Sequence, residues 1–280
     1  MTDQGQKLPS FSRPPLVETA LGVQFEPLEN LHIPRIGLLW QRFRDQLPIV
    51  EQQPPIAPII ERVGARAPLQ RPGFEILQRP PLPRCWFLDR AGTELLQIQQ
   101  DRLIWNWRKT SDSAPYPRYE DGVRPRFVEY LDKFLDFLKD EEMGDFRPNQ
   151  CEVTYVNHIV SGEGWSTHSE IDKVFVGWHS AYKEHALLDL ENIQFNCRHI
   201  IYDEAHKFLG RLHVNVEPVF ELSGDKPMFV LSYTARGMPL SPDRDGVLGF
   251  LDLGRQRIVE TFDNATTPEM HRIWRRIDGT

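Results

Sequence analysis

Between residues 17 and 25 the side chains alternate, with Val17, Thr19, Leu21, Val23 and Phe25 on one side and Glu18, Ala20, Gly22 and Gln24 on the other. A period of two over that length predicts a half-buried β-strand, which Pro27 ends. What constrains the chain most is that the elements following this strand recur in the same order. Ile36, Leu39, Trp40, Phe43 and Leu47 keep three- and four-residue intervals, so a helix is expected with Pro34 in its first turn and Pro48 at its end. Strands near 84–89, 93–100 and 102–109 follow, and a second helix carries Phe127, Leu131, Phe134, Leu135 and Leu138. From residue 151 the order returns. A strand over 151–160 precedes a helical stretch near 169–187, then strands at 192–202, 207–218 and 227–236. Val247, Phe250, Leu251, Gly254, Ile258 and Phe262 predict the next helix, and Thr266 or Thr267 with Pro268 and Glu269 caps a last one.

Residues 1–148 and 149–280 thus read as two similar halves, each strand, helix, antiparallel meander, helix, as an internal duplication would leave them. Arg108 and Arg236 end corresponding strands, while Asp121-Gly122-Val123 and Asp245-Gly246-Val247 open the helices after them. The expected fold class is α+β, with two antiparallel sheets carrying helices on one face, or one curved sheet made by joining them. A joined sheet resembles the duplicated saddle of TATA-box-binding proteins, a likeness of architecture without functional weight.

Residues 48–83 interrupt the first half and hold nine of the 23 prolines, so regular structure is expected there only as a short edge strand near Phe74–Leu77. Arg62, Arg66 and Arg71 make this stretch locally basic; it reads as a solvated connection or as an arm that docks a partner. The whole chain has 33 basic and 40 acidic side chains and a net charge of −7, which opposes non-specific binding to phosphate backbones or anionic lipid. Three dispersed cysteines without a CxxC pair favour neither a disulfide framework nor structural zinc. The N-terminal stretch lacks the apolar core of a signal peptide and no run is long enough to cross a bilayer, so a cytoplasmic protein without membrane contact is expected.

Motifs for chemistry are weak. Asp203-Glu204-Ala205-His206 spells a helicase string, but no phosphate-binding GxxxxGK[ST] accompanies it, and a polar turn explains it. His199, Asp203, His206 and His213 suggest a metal, yet the HExxH spacing is absent; neither a metal nor another cofactor is expected, and no residue is assigned to catalysis. Gly162–Ser166 fits neither GxSxG nor GxGxxG. The most unusual stretch is Trp105, Asn106, Trp107 and Arg108, followed by Tyr116, Arg118, Tyr119 and Glu120. Alternation places Trp105 and Trp107 on one strand face and Asn106 and Arg108 on the other, so one side packs and the other stays polar. By the same rule Tyr155 and Asn157 share a face with Cys151, and His158 lies opposite.

PPLVETALGVQF, DRLIWNWR, Tyr116, Tyr119, Glu120, Phe127, TYVNHI and IVETFDNATTPEMHRIW together resemble a sporadically distributed bacterial family of about this length, across nearly the whole chain. That family is functionally uncharacterised, so the resemblance implies no catalytic residues; its patchy distribution implies an accessory of a mobile or defence-associated system. His158 stands where its pattern has an arginine, a departure that sets this position apart.

The expectation is a non-enzymatic binding or adaptor protein that contacts a protein partner or a second copy of itself. Arg272, Arg275 and Arg276 offer a further docking edge, although a solvated helix face explains them equally. One alternative is a small-molecule binder or enzyme, its pocket between sheet and helices lined by Trp105, Tyr119, Tyr155, Asn157, His199 and His213. The other is a nucleic-acid-binding accessory using local arginine patches.

Overall fold

The computed structural model describes residues 8–64, 82–111, 114–178, 190–221 and 224–277. Strands β2 (Leu16–Phe25), β3 (Ile49–Gln53), β4 (Arg84–Leu88), β5 (Glu94–Gln99), β6 (Arg102–Arg108), β7 (Pro148–Val160), β8 (Phe195–Tyr202), β9 (Phe208–Phe220) and β10 (Pro227–Gly237) form one sheet of nine strands. All its pairings are antiparallel, in the order β3-β4-β5-β6-β2-β7-β10-β9-β8. β1 (Ser10–Phe11) pairs with β11 (Arg276–Ile277) in a separate ribbon that brings the two ends of the described chain together. Helices α1 (Ile33–Trp40), α2 (Arg124–Asp140), α3 (Arg244–Ala265) and α4 (Pro268–Ile273) complete a mixed α+β fold. No helix among the described residues is long and apolar enough to cross a membrane.

The order is mirrored about the central β2–β7 pair. Reading outward, β6, β5, β4 and β3 follow on one side and β10, β9 and β8 on the other, so each meander lies beside the strand that opens its half. In register, Glu18 faces Arg108 and Glu152 faces Arg236.

Alternation gives the sheet two different faces. Leu96, Trp105, Leu21, Val153, Ala235 and Leu212 lie side by side across six strands on the helix face, all of them buried. α2 covers this face with Phe127, Tyr130, Leu131, Phe134 and Leu138, and Pro125 in its first turn costs no hydrogen bond there. α3 begins where the Asp243 side chain accepts from the Gly246 N–H at 2.8 Å. A Cβ on Gly254 would stand 3.1 Å from Ala235 and 3.2 Å from Val153, so a glycine here lets the helix lie close against the sheet. Two reciprocal ion pairs tie the helices: Arg124 grips Asp252 at 2.8 and 3.0 Å, and Arg244 grips Asp132 at 2.5 and 2.9 Å. Of the two candidates, Thr267 caps α4, accepting from Met270 N–H at 3.3 Å.

Several expectations need correction. In place of a helix over 169–187 there is a short 3-10 turn at His168–Lys173. Beyond it Phe175 bridges to Thr266, and Val176 N–H donates to Ala265 C=O at 2.9 Å, so the end of α3 holds this stretch extended; residues 179–187 lie outside the described residues. The proline-rich region does contain a strand, β3, on the proline-free residues between Pro48 and Pro54, whereas Phe74–Leu77 lies outside the described residues. α1 ends at Trp40, and turns closed by hydrogen bonds over three and four residues carry the chain on to Leu47. A π-helical turn at Tyr119–Val123, absent from the sequence reading, leads into α2.

Candidate functional site

A cavity of about 560 Å³ opens between the β7–β10 part of the sheet, α3, the π-helical turn and the β1–β11 ribbon. The alternation of β7 points Tyr155 and Asn157 into it, and Tyr233 of β10 stands directly opposite Tyr155. α3 adds Arg255, Ile258 and Phe262 from one face, while Tyr116, Arg118, Tyr119 and Glu120 come from the chain entering α2. Phe11 and Leu16 extend the apolar wall. Arg118 has a positive φ of 63°, and a Cβ at Gly122 would meet the Pro117 carbonyl oxygen at 2.5 Å. Only a glycine at position 122 therefore lets this loop fold tightly enough to present its tyrosines.

The polar groups are ordered. Tyr116 and Tyr155 share a hydroxyl–hydroxyl hydrogen bond of 2.9 Å. Tyr119 donates to Asp252 at 2.8 Å, on the carboxylate that Arg124 also holds. Arg255 reaches Glu120 at 2.8 Å, and its guanidinium lies 5.1 Å from the centre of the Tyr119 ring. Arg118 donates to the Phe11 carbonyl at 2.9 Å, and the Asn157 amide to that of Leu231 at 3.2 Å.

Burial pushes all four phenols up. It does so alone for Tyr233, with the Tyr155 phenol adding to it for Tyr116 and the Asp252 carboxylate for Tyr119. For Tyr155 burial outweighs the opposing pull of Tyr116 and Arg255. The phenols therefore remain protonated donors around neutral pH. Two buried polar atoms on the cavity residues, Tyr233 Oη and Arg255 Nε, have no hydrogen-bond partner among the described residues. The interior thus offers hydrogen-bond donors and a cation against apolar walls, with its carboxylates engaged by arginine or placed at the rim. Such a set suits recognition of an acceptor-bearing ligand better than proton abstraction.

Of the residues singled out in the sequence, the cavity gathers Tyr116, Arg118, Tyr119, Glu120, Tyr155 and Asn157. The others lie elsewhere. Trp105 and Trp107 are core residues, Trp107 packing edge-on against Tyr116 at 5.5 Å. Asn106 belongs to the opposite face, where it is buried and bonded to Gln97 and Glu18 at 2.7 Å each, not solvated. Arg108 donates to the Gly92 carbonyl at 3.2 Å. His158 is exposed beside a second, larger cavity of about 1020 Å³ that Phe220 and Trp274 also line. His199 is exposed on edge strand β8, and His213 lies on the opposite sheet face bonded to Glu61, so neither joins the pocket expected of them. For His213 the reason is parity, since it stands one residue from the core position Leu212; His199 pairs with Leu212 itself, but on the edge strand it is exposed away from the cavity.

Asp203 and His206 form a hairpin turn, and among the described residues no three His, Cys, Asp or Glu side chains gather as a metal site. Arg272 is paired with Glu269, and Arg276 with Asp263 at 2.6 and 3.0 Å; these contacts are internal to the chain's end. Arg275 is exposed, while Arg66 and Arg71 lie outside the described residues. Sequence reasoning missed Tyr233, Arg255 and Asp252. Arg255 carried a signal, since it interrupts the apolar stripe of α3 four residues after Leu251 and three before Ile258. Comparison of the chain with protein-family models, with curated proteins and with solved structures finds no match.

Proposed function

We propose that this protein binds a small molecule in the cavity between β7, β10 and α3. The Tyr233 hydroxyl and Arg255 Nε, without partners among the described residues, carry the reading. A buried donor without a partner costs about 1–3 kcal/mol, and a ligand bringing acceptors to these atoms recovers that energy on binding. The volume of about 560 Å³ falls within the range of organic-ligand sites. Donors inside and apolar walls around them favour a molecule with an acceptor head, a carboxylate or carbonyl, on an apolar body.

The test is native mass spectrometry of freshly purified protein, followed by a thermal-shift screen of small carboxylates and carbonyl compounds. A retained or stabilising ligand is expected, and Arg255→Ala should weaken it by tenfold or more. If every hit binds that variant as tightly as the unmodified protein, the reading fails.

The architecture behind this site is read as a duplicated unit, 1–148 and 149–280, joined through β2 and β7 in the manner of a saddle. The mirrored strand order supports this, as do the matching Glu–Arg pairs in register. So do the two glycines of the Asp-Gly-Val triplets: a Cβ on Gly122 would meet Pro117 oxygen at 2.5 Å, and one on Gly246 would meet Ser241 oxygen at 2.0 Å, each five residues back. The buried series Val123, Phe127, Phe134, Leu138 and Val247, Leu251, Ile258, Phe262 keep one spacing. Membership of a bacterial accessory system stays a proposal resting on the sequence resemblance.

A further inference from the structure

The face of the sheet turned away from the helices is polar, and residues 54–64 cross it as an extended strap held by side chains instead of by a strand ladder. Gln99 of β5 contacts both backbone groups of Ile56, accepting from its N–H at 2.8 Å and donating to its C=O at 3.0 Å. Gln24 of β2 accepts from Ile59 N–H at 3.1 Å, and Gln150 of β7 from Glu61 N–H at 2.8 Å. Arg211 of β9 donates to the Arg62 carbonyl at 2.8 Å. These contacts read a backbone in sequence across the sheet, from β5 through β2 and β7 to β9. One contact reads a side chain: the Glu61 carboxylate sits among Arg211, His213 at 2.7 Å and Arg236 at 3.8 Å.

We propose that this face is a receptor for an extended, glutamate-bearing segment of a partner protein, and that Pro54–Gly64 occupies it within the chain until that segment arrives. It gives the partner-binding role expected from the sequence a defined surface, independent of the cavity. The strap is a removable occupant because it contributes little to the core: Pro54, Pro55, Ala57, Pro58, Ile59, Ile60 and Val63 are exposed, and Glu61 is its one buried residue. It is also an incomplete occupant. Gln150 is 3% exposed, yet its Nε2 has no acceptor among the described residues, whereas the equivalent amide of Gln99 reaches a strap carbonyl. A segment that places a carbonyl above Gln150 satisfies it and gains over the strap. The two arginines and His213 fix the charge of the expected side chain as negative.

Two measurements test this. In hydrogen exchange of the unmodified protein, the amides of Ile56, Ile59 and Glu61 should exchange at least a hundredfold faster than those of Leu21 and Val153. Equal protection would mean that the strap leaves only on global unfolding, and would overturn the proposal. In the second, a labelled peptide PPIAPIIERVG is titrated into the unmodified protein and into Glu61→Ala, whose strap has lost its anchor. The peptide should bind the variant at least tenfold more tightly than the unmodified protein, and a peptide with alanine in place of its glutamate should bind the variant at least tenfold more weakly. No binding to the variant, or no loss with the alanine peptide, refutes the proposal. Concentration-dependent dimers of the unmodified protein that free peptide dissolves would assign the face to the strap of a second copy and overturn the partner reading.

Discussion

Replacing Tyr233 by phenylalanine separates the stability of the fold from the purpose of the cavity. The ring lies fully buried on β10, packed edge-on against Phe262 with centroids 6.3 Å apart, and phenylalanine keeps that contact. What is lost is a hydroxyl that has no partner among the described residues. Removing an unsatisfied buried hydroxyl without opening a void returns its desolvation cost, about 1–2 kcal/mol at such a site. At about 2–4 °C per kcal/mol for a chain of this size, the melting temperature should rise by about 2–8 °C. Urea unfolding of both proteins under identical conditions measures the difference, with an unchanged m-value confirming that the unfolded reference is the same. Binding should move the other way, with the ligand found by screening held about tenfold less tightly by the variant. A variant destabilised by 1 kcal/mol or more would show that the hydroxyl is already satisfied, and the argument from an orphaned donor would collapse. Equal ligand affinity would remove Tyr233 from the site.

Further outcomes follow from the same physics. Gly246→Ala should cost about 3 kcal/mol or prevent folding, because its Cβ would stand 2.0 Å from the backbone oxygen of Ser241; equilibrium unfolding of a soluble variant measures it. Gly37→Ala, with nothing within 4 Å of the new Cβ on α1, should leave stability unchanged or raised by up to about 1 kcal/mol. The Glu129 carboxyl should titrate at about 2: burial raises it, but hydrogen bonds from Lys133, Gln46 and Arg126 together hold it down, and carboxyl NMR shifts would show it. Its folded value lies below the ordinary 4.5, so its stabilising contribution is complete above that pH and is lost as acidification proceeds from 4.5 toward 2; Glu129→Gln should flatten that part of the stability curve. Glu61 follows the same sign. Burial raises it, but His213 and Arg211 outweigh that and lower it, so protonation of Glu61 should cost the strap amides protection as the pH falls below 4.5.

Local pattern in the chain sets the elements that depend only on near neighbours. The strand over Val17–Phe25, the helical spacing of Phe127–Leu138 and a cap at Thr267, one of the two candidates, each reflect a local geometric rule and each is present, but β2 is buried on both faces instead of half-buried because it lies at the centre of the sheet. The sequence also brought Tyr116, Tyr119, Tyr155 and Asn157 into view, because aromatic and amide side chains at those strand and loop positions need partners. Tertiary structure decided which of them meet. Tyr155 faces Tyr233 only because β7 pairs with β10 in one register, and shifting that register by one residue would turn Tyr233 to the other face. The pairing of β10 with β9 sends His213 to the polar side, opposite Thr234, and Glu61 lies against it across 152 residues of chain, a meeting no local pattern encodes. The proline-rich stretch shows the division most clearly. Its composition forbids a strand ladder across residues 54–58, but only the row of Gln99, Gln24 and Gln150 on three separate strands reveals where its backbone finds hydrogen bonds.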